Sequence, residues 1–265
     1  MRTNPFDLTG KVAAVTGGGT GIGRASALLY ARHGADVVLA GRHEDSLNQT
    51  AEAVQALGAR ANVVVTDVKD PAACERLISS VMSLRGRLDI LLNNAGGSRV
   101  KNLDTWSLKD FNDMIALNLT SVWVLSLAAS RVMRDRGGAI VNVSSAASLR
   151  PIPHSAPYGV AKAGVNNLTA VLAVDLAPFN IRVNAVAPGT TKSEGFLRAM
   201  ESLNIDPDAA GSSVTGRSGE LDELAWPILF LSSAAASFIT GQTLLVSGAP
   251  AGWAPPVAAG ESKSD

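Results

Sequence analysis

The chain has 265 residues, 46% hydrophobic and 17% charged, which suits one large domain with a buried core. Its 23 basic and 23 acidic residues cancel, and no run of Lys or Arg offers a surface for nucleic acid or an anionic membrane, so the expected partners are small molecules and copies of the chain. One cysteine, Cys74, and three scattered histidines, His33, His43 and His154, provide neither a disulfide nor metal-ligand spacing, and a cytoplasmic, metal-free protein is expected.

Residues 1–11 lack the apolar stretch of a signal peptide, and no window reaches the ~18 uninterrupted apolar residues of a membrane span. Beyond them, short apolar runs alternate with stretches of helical periodicity. Strands are predicted at 12–16, 36–40, 61–66, 89–94, 139–144, 181–187 and 243–247, and helices near 22–33, 44–57, 71–84, 107–134, 158–177 and 220–232. This alternation predicts an α/β fold: a single domain over 1–253 built on a doubly wound, seven-stranded parallel sheet with helices on both faces. The segment 189–219 breaks the rhythm and follows a strand end, where ligand sites and lids form. The tail 254–265, APPVAAGESKSD, is rich in Pro, Gly and small polar residues and is expected to be flexible.

The first strand runs straight into TGGGTGIG (16–23). Glycines between a strand and a helix let the backbone approach a ligand, and the helix start directs free N–H groups and a positive dipole end at an anion such as a pyrophosphate. The spacing is Gly17-x-x-x-Gly21-x-Gly23, which fits no frame of the dinucleotide fingerprint G-x-G-x-x-G. The alternative is a turn used only for tight packing. The second strand ends in LAGRHED: an acid there would bond ribose hydroxyls and repel a 2′-phosphate, whereas an arginine would pair with it. Gly41 is followed by Arg42, so NADP(H) is favoured over NAD(H). Thr20, inside the loop, supplies no second cation; His43 is either an aid to Arg42 or an exposed residue at a helix start.

YGVAK places Tyr158 four residues before Lys162, one above the other on a helix face. A phenol titrates near ~10, and a cation one turn away is expected to bring it towards the working range of an acid–base group. Ser145 stands thirteen residues before Tyr158, with Ser144 adjacent, and NNAG (93–96) and Pro188-Gly189 complete the pattern.

With TGxxxGIG, NNAG, the serine before YxxxK and PG, residues from about 8 to 248 resemble the short-chain dehydrogenase/reductase family. The resemblance implies a Rossmann-like fold. It assigns Gly17, Thr20, Gly21, Ile22 and Gly23 to the pyrophosphate and ribose, Arg42 to the 2′-phosphate, and Asp67 and Val68 to the adenine. Asn93, Asn94, Ala95 and Gly96 would border the adenine ribose and support the sheet, although NNAG can also be read as a structural turn. Pro188 and Gly189 would pass under the nicotinamide, with Ser193 closing the PGTTKS segment. The catalytic set it implies is Asn118, Ser145, Tyr158 and Lys162. Tyr158 is the proton donor, Lys162 also binds the nicotinamide ribose, Ser145 holds the substrate oxygen, and Asn118 anchors a water leading from Lys162 to solvent or else satisfies helix backbone.

Ser98, Arg99, Val100, Ala147, His154, Ser155 and the loop 190–216 are expected on the substrate side, His154 as a contact or as an exposed loop residue. The implied reaction moves hydride between nicotinamide and a secondary alcohol or ketone. Ser247, in FITGQTLLVSGA, departs from the commoner acidic ending and is similar to some hydroxysteroid dehydrogenases; 3-oxoacyl-thioester and sugar-alcohol reductases share the rest. A non-catalytic NADP(H)-binding sensor is the other reading, and the complete set of four argues against it. Leu117, Val122, Trp123, Leu125, Val165, Leu168, Leu172 and Leu176 spread over wide arcs of two helices that pair between subunits in the resembled family, which implies a homotetramer.

Overall fold

Residues Val12–Thr16 form β1, buried along its whole length. Val12 and Ala14 enter one apolar cluster while Ala13 and Val15 enter the other, because successive strand side chains point to opposite faces. A strand buried on both faces requires helices on both. The computed structural model describes residues 4–209, 213–251 and 253; the expected tail, 254–265, lies outside the described residues. It places β1 in a sheet with β2 (Asp36–Gly41), β3 (Ala61–Val65), β4 (Ile90–Asn93), β5 (Gly138–Val143), β6 (Ile181–Pro188) and β7 (Thr243–Val246). All pairs are parallel, in the order β3-β2-β1-β4-β5-β6-β7.

Helices α1 (Gly21–Arg32), α2 (Glu44–Ala56) and α8 (Leu221–Ser232) cover one face, through residues such as Tyr30, Leu47 and Leu229. On the other lie α3 (Pro71–Arg85), α5 (Ser121–Met133) and α6 (Ala156–Leu176), through Leu77, Leu125 and Leu172. The chain winds outward from β1 to β3 and then returns to lay β4 against the other side of β1. That reversal opens a crevice beyond the carboxyl ends of β1 and β4, the usual ligand position in such sheets.

Predicted and observed strands agree within two residues, and three helical details differ. The helix expected at 107–134 is α4 (Leu108–Ile115), a π-helical turn at Ala116–Thr120, and then α5. The helix carrying YGVAK begins earlier, at Ala156, with Pro157 preorganising its first turn. The segment expected to be a loop contains α7 (Glu194–Ser202), capped by Ser193, whose Oγ accepts from the Phe196 N–H. No residue of α7 is buried, and its nine residues with Gly195 in the first turn set it apart from the longer helices that pack on the sheet.

Two stretches, Leu108–Met133 and Ala156–Phe179, are long and apolar enough by composition to cross a membrane. In this fold they pack on the sheet, with Leu125, Met133, Leu172 and Leu176 in its core. Of the eight apolar residues expected to need a partner, Val122, Leu125, Val165, Leu172 and Leu176 are covered by the chain itself. Trp123, also one of the eight, is exposed as expected, and so are Val160, Val171 and Val174 on α6.

Candidate active site

The crevice is stitched at its base. Thr16, the last residue of β1, donates through Oγ1 to the Leu92 carbonyl and accepts from the N–H groups of Asn94 and Ala95, both at 3.0 Å. Asn94 returns through Nδ2 to the carbonyls of Thr16 and Gly17, at 2.9 and 3.2 Å. These bonds fix the two strand ends that flank the opening. Gly17 adopts φ 65°, where a side chain would be strained, and a Cβ on Gly23 would collide with the Gly17 carbonyl oxygen. The glycine spacing therefore lets α1 start hard against the end of β1. Asn93 points away from the crevice: its Nδ2 donates to Ser126 Oγ and Asn142 Oδ1 in the core, so this asparagine supports the sheet and does not border a ligand.

Two cavities meet over this base. The larger, about 440 Å³, is lined by Gly17, Thr20, Ile22, Asn94, Ala95 and Gly96 at one end and by Ser145, Tyr158, Lys162, Pro188, Gly189 and Ser193 at the other. The smaller, about 200 Å³, runs past Gly41, Arg42, His43, Asp67 and Val68. Gly17, Thr20, Ala95 and Gly96 line both, so the two form one cleft with Arg42 at one extreme and Tyr158 at the other. Arg42 is exposed and enters no ion pair among the described residues. Gly21 and Gly23 line neither cavity: the Gly21 N–H is taken by the Glu194 carboxylate, and Gly23 packs against the Gly17 carbonyl.

At the far end, α6 carries Tyr158 and Lys162 on one face, with the Lys162 Nζ 5.8 Å from the centre of the tyrosine ring. Lys162 is buried and donates to the Val143 carbonyl at 2.7 Å. Burial pushes its ammonium down to about 8. Tyr158 departs from expectation. Burial raises its phenol above the ordinary value, and a hydrogen bond with Ser145 offsets part of the rise; the expected downward pull of Lys162 is not among the causes.

Asn118 sits fully buried in the π-helical turn. Its Oδ1 accepts from the Gly97 N–H at 3.0 Å, while Nδ2 donates to the Gly97 carbonyl at 3.0 Å and to the Met114 carbonyl at 3.1 Å. A wider turn exposes backbone groups that an ordinary helix would satisfy, and such bulges recur at functional sites. A Cβ on Gly96 would lie 2.8 Å from Asn118 Oδ1 and 3.3 Å from Lys162 Nζ, so the three meet at one point. Asn118 thus clamps the strap after β4 beside the lysine.

Two further residues shape the site. Asn166, one turn beyond Lys162, accepts from Ser144 Oγ at 2.6 Å and donates to Ser148 Oγ at 2.8 Å. Ser144 is thereby turned into the core, and Ser145 is left facing Tyr158. Glu194, on α7, accepts from the Gly21 N–H at 2.9 Å. Of the expected substrate-side residues, Ser98 lines the cavity, Ala147 and Ser155 are buried, and Arg99 is paired with Asp110 at 3.5 Å. His154 takes φ 62° and its carbonyl accepts from the Lys101 N–H at 3.0 Å, tying together two loops after the strand ends.

The family model described as enoyl-(acyl carrier protein) reductase matches residues 17–248. A short-chain type dehydrogenase/reductase from Mycobacterium marinum is 35% identical, with TM-score 0.85 over 92% of this chain and 96% of that one. The 7 alpha-hydroxysteroid dehydrogenase solved with NADH and 7-oxo glycochenodeoxycholic acid is 33% identical, TM-score 0.86, covering 94% and 97%. The L-sorbose reductase of Gluconobacter frateurii, solved with NADPH and L-sorbose, is 29% identical, TM-score 0.90, covering 93% and 98%. With these likenesses spanning the glycine turn, the crevice and the Tyr158–Lys162 face, the chain belongs to the short-chain dehydrogenase/reductase family of nicotinamide-dependent oxidoreductases.

Proposed function

We propose that residues 1–253 act as one dinucleotide-binding and catalytic domain that interconverts a secondary alcohol and a ketone with NADP(H). The observation that carries this reading is the continuous cleft from Arg42 to Tyr158, floored by glycines with no side chains to fill it. A dinucleotide fits this donor set: Thr20 and Ile22 at the start of α1 for the pyrophosphate, Asp67 and Val68 for the adenine, and Ala95, Gly96, Pro188 and Gly189 towards the nicotinamide end. Arg42 supports NADP(H), since a guanidinium without an ion-pair partner among the described residues suits a 2′-phosphate. When bound, the nicotinamide donates or accepts the hydride.

The chain's own residues handle the proton. Ser145 orients the substrate oxygen towards Tyr158, whose phenol supplies or removes the hydroxyl proton. Lys162 places a positive charge beside that phenol and reaches the ribose side of the cleft, and Asn118, by holding Gly97, keeps the wall opposite Lys162 in place. A raised phenol pKa suits the reducing direction, in which Tyr158 must hold a proton until the substrate oxygen gains charge. The substrate is a small carbonyl compound or alcohol of the 3-oxoacyl-thioester or hydroxysteroid type.

NADPH oxidation with a panel of 3-oxoacyl thioesters, oxosteroids and simple ketones tests the reading. Turnover with at least one class is expected. Tight NADPH binding without turnover of any would instead make the protein a nucleotide sensor.

A further inference from the structure

The first turn of α1 contains no acidic residue, and its N-cap, Thr20, makes no side-chain capping bond. Helix starts leave N–H groups without intrahelical partners and carry a positive partial charge. Here one of them, the Gly21 N–H, is met from 173 positions away by Glu194 Oε2 at 2.9 Å. Ser193 stands beside it: a Cβ on Gly21 would be in van der Waals contact with Ser193 Cβ at 3.6 Å and Glu194 Oε2 at 3.7 Å. The glutamate starts α7, whose base is held firmly. Lys192 pairs with Asp208 at 3.1 Å and Glu220 at 3.0 Å, its N–H donates to the Gly219 carbonyl, and Thr191 forms a parallel bridge with Gly219. Beyond that anchor, α7 buries none of its residues. Its contact with the glycine turn is therefore a polar latch on an otherwise lightly packed helix.

We propose that Glu194 is an internal competitor for the pyrophosphate position, its carboxylate occupying the α1 N-terminus and repelling the phosphates that bind there. The inference rests on the dinucleotide reading given above. A carboxylate and a phosphate seek the same N–H donors and the same end of the helix dipole, and cannot both approach closely without mutual repulsion. Cofactor binding then displaces Glu194 from Gly21 and frees α7 to move over the substrate. The anchored Lys192 gives that motion a fixed pivot.

The test is calorimetric titration of wild type, Glu194→Gln and Glu194→Ala with NADPH, with ADP and with adenosine. Both variants are expected to bind NADPH and ADP about three- to tenfold more tightly at low ionic strength, with the gain shrinking in high salt. Adenosine, which lacks phosphates, should show no gain. Amide hydrogen exchange across 194–202 without nucleotide should be faster in Glu194→Ala than in wild type. Equal or weaker NADPH and ADP binding by both variants overturns the inference while leaving the function intact. A gain of the same size for adenosine overturns it also, because the effect would not concern phosphate. Failure of wild type to bind NADPH or ADP removes the dinucleotide reading itself, and this inference with it.

Discussion

Replacing Lys162 by methionine should destroy turnover and stabilise the fold. The lysine is buried, and its pKa falls from 10.5 to about 8 because of desolvation. The depressed value means the folded state resists the proton that the unfolded chain accepts. At ~1.36 kcal/mol per pH unit, wild type therefore loses about 3 kcal/mol at pH 7. Stability rises with pH between about 8 and 10.5, where the unfolded chain binds more protons, and the loss disappears above that window. Methionine matches the length of the stem and carries no charge. It forfeits the hydrogen bond to the Val143 carbonyl, worth about 1.5 kcal/mol, so the net gain at pH 7 is about 2 kcal/mol. At pH 9.5 the burial cost has shrunk to about 1 kcal/mol and the advantage should vanish. Urea unfolding at fixed protein concentration, at both pH values, measures this directly. A variant less stable than wild type at pH 7, or a margin that does not change with pH, would refute the reasoning.

Arg42→Asp should lower kcat/KM for NADPH by about ten- to a hundredfold, from the loss of a charge-assisted bond worth roughly 1.5 to 3 kcal/mol, and should favour NADH. A wild-type preference for NADH would count against the role given to Arg42. Asn166→Leu removes the partner shared by Ser144 and Ser148 and should cut kcat about tenfold with little change in nucleotide affinity; unchanged kcat would mean that this network does not hold Ser145. Trp123, Val160, Val171 and Val174, exposed on α5 and α6, should be covered in a homo-oligomer, expected to be a tetramer, and sedimentation showing a fully active monomer at micromolar concentration would contradict that.

Much of this was legible because it is local. The strand-turn-helix at 16–23 and the i, i+4 spacing of Tyr158 and Lys162 are set by adjacent residues, and alternating apolar runs led to the seven strands. What escaped the sequence depends on tertiary neighbours. Asn166 extends the Tyr158–Lys162 spacing by one more turn, a signal that was present, yet its partners lie 18 and 22 residues away. Glu194 meets Gly21 across the molecule, and nothing near either residue announces it. The direction of the Tyr158 shift is not legible in the sequence for the same reason: one turn of helix fixes where Lys162 sits, but burial by the surrounding fold raises the phenol. Apolar arcs on α5 and α6 could not be divided between the chain's own sheet and a second subunit without knowing which way each helix rolls. The Asn118 clamp likewise needs a π-helical turn that periodicity over 107–134 does not distinguish from regular helix.

Carbonyl reduction by Tyr158→Phe, measured beside wild type with any substrate that wild type turns over, is the most direct test. The substitution removes the phenolic proton and little else from the cleft. The account predicts a fall in kcat of at least about a hundredfold, with the dissociation constant for NADPH unchanged within about threefold. Retention of more than about a tenth of wild-type kcat would contradict the assignment of Tyr158 as the proton donor.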